Sequence, residues 1–235
     1  MFSEIRAACA TVAKEAERVR INQDFLGKYA ASLPLDLIQA PVYDLEHHYH
    51  GDPDTTLAYL VTLDTVNFGS GYFPHLKKRP GMSGYFTVAS HLKDRFETEG
   101  VFSARDLVGL TPQDCAEVFG QALDNEVQLE LMGLFAEAFN DLGSFLLEDY
   151  GGSFVRLLEA ANGSAESLAT ALSKIHFFQD VAHYQGREIP IYKRAQITAS
   201  DIALAFGGEG YGKFSDLDKL TIFADNLVPH VLRVD

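Results

Sequence analysis

Four charged residues stand where apolar ones are expected. Asp225 lies inside "KLTIFADNLVPHVLR", with Leu220, Ile222, Phe223, Ala224, Leu227 and Val228 on nearly every side. Lys193 and Asp201 share one helical face with Ile197, Ser200 and Leu204 by three- and four-residue spacing. Asp64 follows Leu57, Leu60 and Val61 on theirs. Charges in such company are expensive unless paired. Two readings are therefore open: a buried ion-pair or capping network, or a site where a lysine and carboxylates face a polar substrate. Perturbed titratable groups cluster at sites of the second kind.

Three further motifs bear on chemistry. Asn67, Phe68, Tyr72 and Phe73 sit among glycines in "NFGSGYFP". Such a loop serves either as a stacking platform for a base or as ordinary core and turn. In "GGEGYGKF", Gly207, Gly212 and Lys213 match the GxxxxGK of a phosphate-binding loop. Phe214 replaces the magnesium-binding Ser or Thr, and the segment follows a helix rather than a strand, so it reads as a plain loop. The histidines of "HHYH" (His47, His48, His50) suit neither one helix face nor one strand face, and no metal is expected there.

The elements that must position these groups are mostly helical. Thr111, Pro112 and Asp114 supply N-cap, first helical residue and capping acid for a helix, or two in succession, reaching Leu146. Ser103 with Asp106 opens a short helix before it, and another runs from about Ser164 to Lys174. Asp54 is the expected cap of the helix that leads to Asp64. "VAHYQGREIPIY" gives two short extended runs around Gln185-Gly186, a β-hairpin that leads into the helix of Lys193. Ser215 with Asp218 resembles a capping box, opening a helix that carries Asp225 and ends near Val228, before Pro229.

The chain has 235 residues, 47% hydrophobic, enough for one sizeable core. It holds 33 acidic residues against 19 basic ones, net −14, with no basic block, which argues against gripping intact RNA or DNA. A single small nucleotide met by a few cations fits better. No apolar run reaches the roughly 20 residues of a membrane span. Cys9 and Cys115 are far apart and lack metal spacing, and the N-terminus lacks the apolar stretch of a signal peptide, so a cytoplasmic protein is expected.

Taken together, "FFQD", "YQGREIPIYKRAQITASDIALAF" and "GYGKFSDLDKLTIFADNLVPHVLR" resemble the queuosine salvage proteins, with "RVRIN", "LDTVNF" and "GGSFVRLLEAAN" in the same order upstream. The resemblance implies a mostly α, single-domain fold over residues 1–235, similar to helix-hairpin-helix DNA glycosylases, with a small β-hairpin near residues 181–192. In relatives a C-terminal extension follows "VLRVD". It also implies hydrolysis of the N-glycosidic bond of queuosine 5′-monophosphate, releasing queuine, with no metal or organic cofactor. The family's catalytic aspartate falls at Asp225, in "FAD", and its active-site lysine at Lys193, in "YKRAQ". Asn67, Phe68, Tyr72, Asp64, Arg194 and Asp201 are the candidates for binding substrate.

The chemistry suits these residue types. Cleaving a ribose–base bond builds positive charge on the sugar, and a carboxylate beneath the anomeric carbon stabilises it. Lys193 either holds Asp225 ionised or reaches phosphate or ribose oxygens. The "NFGSGYF" loop departs from an aromatic-rich "NFCFW"-like stretch of many relatives, and the chain has no tryptophan. That leaves two alternatives: an N-glycosylase of another modified nucleoside or nucleotide, and a non-catalytic nucleobase-binding protein.

Overall fold

The computed structural model describes residues 1–37, 39–225 and 227–234, and they are mostly helical. The central element is α3 (Pro53–Thr65), in which every residue from Thr56 to Thr65 is buried. A helix buried on all sides needs apolar or internally satisfied residues all round, and Leu57, Leu60 and Leu63, each no more than 2% exposed, meet that need at about 1.5–3 kcal/mol apiece. The helix starts at Asp52, whose carboxylate accepts from the Thr55 amide at 3.0 Å. The expected cap, Asp54, lies inside the first turn instead and accepts from the Tyr211 hydroxyl.

Around α3 pack α4 (Gly84–Glu99), α7 (Glu126–Tyr150), α8 (Phe154–Ala160) and α10 (Lys193–Ala205). The long α7 turns Leu131, Phe135, Phe139, Leu142 and Leu146 inward, and it carries α5 (Ala104–Gly109) and α6 (Pro112–Val118) on its flank. Both short helices open with the expected capping boxes, at Ser103/Asp106 and Thr111/Asp114. On α10 rests α9 (Ala165–Leu172), the helix expected from about Ser164 to Lys174, with Ser164 as its cap. At the N-terminus, α1 (Phe2–Glu15) leans on the hairpin, whereas α2 (Gln23–Ser32) buries none of its residues.

The hairpin pairs β1 (Val181–Tyr184) with β2 (Arg187–Pro190) antiparallel, Tyr184 opposite Arg187. Gln185 and Gly186 both have positive φ, the two-residue turn whose twist matches that of paired strands. The GG pair after α10 terminates it as read. Gly207, at φ +60, is left-handed, and the Gly208 amide bonds the Ala203 carbonyl five residues back.

The C-terminal stretch departs from expectation. Ser215 and Asp218 open no long helix: only a single 3₁₀ turn, Leu217–Lys219, forms, and residues 220–225 follow as an irregular segment with a bend at Asp225. Helix α11 (Leu227–Val234) begins after Asp225, with Pro229 in its first turn rather than beyond its end. An amide at that position has no intrahelical acceptor, so proline costs nothing there. Among the described residues no helix is long and apolar enough to cross a membrane.

Candidate active site

Two loops and one helix start build the site. The Asp180 carbonyl accepts from the Ile191 and Tyr192 amides and closes the base of the hairpin. Tyr192 then turns at φ +47, an uncommon conformation for a non-glycine residue, and α10 starts at the next position. Tyr192 offers no side-chain cap, so Asp180 caps the helix from outside: its Oδ2 accepts from the Arg194 amide at 2.9 Å. Its Oδ1 takes the Arg194 guanidinium through Nε and Nη2, at 3.1 and 2.8 Å. That bracket fixes where Lys193 and Arg194 point.

The segment carrying Asp225 is pinned at successive points. Asp216 caps α9, accepting from Ser164 Oγ and the Ala165 and Glu166 amides. Arg6 donates to the Lys219 and Leu220 carbonyls. Gln196, fully buried on α10, donates to Ile191 O and Thr221 Oγ1 and accepts from the Thr221 amide and hydroxyl. Four residues on, Asp225 Oδ2 meets Lys193 Nζ at 3.0 Å, while Oδ1 accepts from the Leu227 amide at 3.0 Å. Asp225 is not walled in by its apolar neighbours: its side chain is 45% exposed, against 20% for Lys193.

Asp225 and Lys193 line a cavity of about 440 Å³ with Asn67, Phe68, Gly69, Ser70, Phe73, Tyr85, Asp180 and Arg194. That volume falls within the roughly 300–1,000 Å³ of small-molecule sites. Phe68 stacks on Phe177 at 5.2 Å, and the Arg194 guanidinium lies over the Phe68 ring, giving the cavity a phenyl–guanidinium wall. Gly69 has φ +85 and passes Leu131 so closely that a Cβ would lie 2.8 Å from its Cδ1. Glycine there is what lets the loop fold over the core.

Tyr72 does not join this lining. It donates its hydroxyl to Glu130 at 2.9 Å, and Phe73 and Tyr85 supply the aromatic surface instead. Nor do Asp64 and Asp201 reach the wall. Asp64 is 1% exposed at the end of α3, its Oδ1 3.5 Å from Asn67 Nδ2 and its Oδ2 without a hydrogen-bond partner among the described residues. Thus Asn67, Phe68, Lys193, Arg194 and Asp225 come together, with Asp64 and Asp201 behind them.

The electrostatics separate these carboxyls into two kinds. Burial pushes Asp64 well above the ordinary carboxylate range, and the neighbouring Asp201 adds to it. Burial likewise lifts Asp201, to about 6, with Lys193 opposing. The hydroxyls of Tyr43 and Tyr85 rise for the same reasons, burial first and then the field of these two aspartates. At Asp225 burial also pushes upward, but the Leu227 amide and the Lys193 ammonium outweigh it and hold the carboxyl below its usual range. One carboxylate is therefore held ionised at the cavity, in front of a buried acidic pair whose ionisation burial opposes.

"HHYH" is used for packing. His47 pairs with Asp44 and stacks on Phe86, and His48 bridges the Asp44 carbonyl and the Tyr85 hydroxyl. Among the described residues no cluster of three or more potential metal ligands occurs. Phe73 joins the lining from the aromatic loop read in the sequence, whereas Tyr85, Asp180 and Gln196 escaped sequence reading as site residues. Asp180 and Gln196 stand in the quoted "FFQD" and "YKRAQI", but nothing local distinguishes Tyr85.

Comparison with known proteins bears on the same residues. The sequence model of the queuosine salvage protein family matches residues 47–235, which include Lys193 and Asp225. The chain belongs to the queuosine salvage protein family. A relative from Sphaerobacter thermophilus, a queuosine 5′-phosphate N-glycosylase/hydrolase, is 33% identical over 228 residues, covering 94% of this chain and 69% of its own. Relatives of the same name occur in Dictyostelium discoideum, 28% identical over 97% of this chain and 72% of the relative, and in Schizosaccharomyces pombe, 40% identical over 76% and 56%.

Proposed function

We propose that this protein hydrolyses the N-glycosidic bond of queuosine 5′-monophosphate, releasing queuine for salvage into tRNA modification. The observation that carries the reading is the ionised, half-exposed Asp225, locked to Lys193 on the wall of an aromatic cavity. The base enters the cavity against Phe68, Phe73 and Tyr85, with the Asn67 amide at its edge and Arg194 beside it. Buried, proton-retaining Asp64 braces Asn67 from behind, so the pair acts as a support rather than a direct ligand.

The ribose then lies over Asp225. As the C1′–N bond breaks, the carboxylate faces the growing positive charge on C1′ and orients or precedes the attacking water. Water supplies a hydroxyl to C1′, and its proton ends on the departing base nitrogen. Lys193 keeps Asp225 ionised while the substrate displaces solvent, when an isolated carboxylate would otherwise take up a proton. No step in this scheme needs a metal or organic cofactor. The scaffold is proposed to be one domain of the helix-hairpin-helix glycosylase kind, supported by a contiguous buried core running from Phe2 to Ala205.

The test is direct. The purified protein is incubated with queuosine 5′-monophosphate, and free base is followed by chromatography with mass detection. Stoichiometric release of queuine and ribose 5-phosphate is expected. Tight binding of an intact nucleotide, with no release, would leave a nucleobase-binding protein in place of the enzyme.

A further inference from the structure

We propose that His230 and Arg233 form the subsite for the substrate's phosphate, a phosphomonoester dianion. The proposal rests on the nucleotide-hydrolase reading and assigns a part of the site which that reading leaves open. Asp225 is a wall of two cavities. The first is the aromatic one; the second, of about 400 Å³, is lined by Asp225, Pro229, His230 and Arg233. Asp225 is the residue common to both linings. A 5′-nucleotide carries its base on C1′ and its phosphate on C5′, at opposite ends of the ribose. With the ribose over Asp225 and the base among Phe68, Phe73 and Tyr85, the phosphate falls on the α11 side.

The disposition of cations agrees. In the aromatic cavity Lys193 is committed to Asp225, and Arg194 is closed on Asp180 through two nitrogens. By contrast, His230 and Arg233 make no hydrogen bond or ion pair among the described residues. They stand three apart on α11, so they share a face one turn apart. The guanidinium fork matches phosphate oxygens two at a time, and an imidazole N–H adds a third donor. A phosphate brought near the Asp225 carboxylate is repelled, and Arg233 offsets that repulsion where it arises.

Binding of ribose 5-phosphate and of ribose, followed by calorimetry, isolates the phosphate from base and catalysis. Wild type should prefer ribose 5-phosphate, and Arg233→Ala should reduce that preference about 10- to 100-fold, the worth of a hydrogen bond to a charged group. Arg233→Lys restores part of it, and His230→Asn loses less than Arg233→Ala. In turnover, the preference of kcat/KM for queuosine 5′-monophosphate over queuosine should collapse by a similar factor in Arg233→Ala. An undiminished preference in Arg233→Ala, or a wild type that binds ribose 5-phosphate no better than ribose, overturns the subsite. Arg233-dependent binding in a protein that releases no base overturns the hydrolase reading and leaves the subsite standing. Release of base with the nucleotide preference intact in Arg233→Ala does the reverse.

Discussion

Replacing Gln196 by leucine separates the helix that carries Lys193 from the loop that carries Asp225. The side chain is fully buried and joins the two through bonds of 2.8–3.1 Å to Thr221, with a further 2.9 Å bond to Ile191 O. Leucine fills a similar volume, so no large cavity opens, but the Thr221 amide and Ile191 carbonyl lose their partners. Each buried group left unmet costs about 1–3 kcal/mol; the bonds are only partly buried, so about 2–3 kcal/mol in total is expected. That lowers the melting temperature by about 4–12 °C in a chain of this size. Activity should fall further than stability accounts for, because Asp225 stands four residues beyond Thr221 and a displacement of about 1 Å can cost about 100-fold in rate. Thermal unfolding by circular dichroism, run beside queuine release well below the transition, reads both effects. A variant that melts within about 1 °C of the parent and releases base at the parental rate would refute the positioning role.

Three other perturbations follow. Asp201 has a folded-state pKa of about 6, above the ordinary carboxylate, so the folded form retains a proton that the unfolded chain has lost; stability falls as pH rises from about 4 to about 6 and stays lowered above that. Asp201→Asn should shrink the stability difference between pH 4 and pH 7 by about 2–3 kcal/mol in urea unfolding, and an unchanged pH dependence would exclude it as the cause. Lys193→Ala removes the ammonium that helps hold Asp225 low, so the acid limb of the kcat/KM profile should move to higher pH; an unmoved limb would mean that the pair does not set it. Gly143→Ala, ordinarily favourable in a helix, should destabilise by about 1–3 kcal/mol, because the added Cβ would lie 2.6 Å from Ala104 O and 2.8 Å from Val108 N of α5. A raised unfolding midpoint would show that α5 yields freely.

What could be read from the chain was mostly local. Capping boxes at Ser103 and Thr111, the Gln185-Gly186 turn and the glycine stop after α10 depend on residues within a few positions of one another, and all formed as expected. The C-terminal stretch misled for the opposite reason. Ser215 and Asp218 have the spacing of a cap, but the intervening Asp216 is committed to the start of α9, some fifty residues earlier in the chain. Pro229 was equally able to end a helix or to stand in the first turn of one, and only the tethers at Arg6 and Gln196 decide which. The oddness of Asp64, Asp201, Lys193 and Asp225 was visible as charge on apolar patterns. Which of them faces substrate was not, because that depends on how deeply α3 and α10 sink into the core.

The most direct test of the account is Asp225→Asn. The substitution keeps the shape and the capping oxygen that accepts from Leu227 while removing the charge. Queuine release from queuosine 5′-monophosphate should fall by at least about 100-fold, as when a transition-state charge loses its stabiliser. Binding of queuine, measured by calorimetry on the same preparation, should persist. A variant that releases queuine at the parental rate would contradict the assignment of Asp225 and return the chemistry to another residue of the cavity.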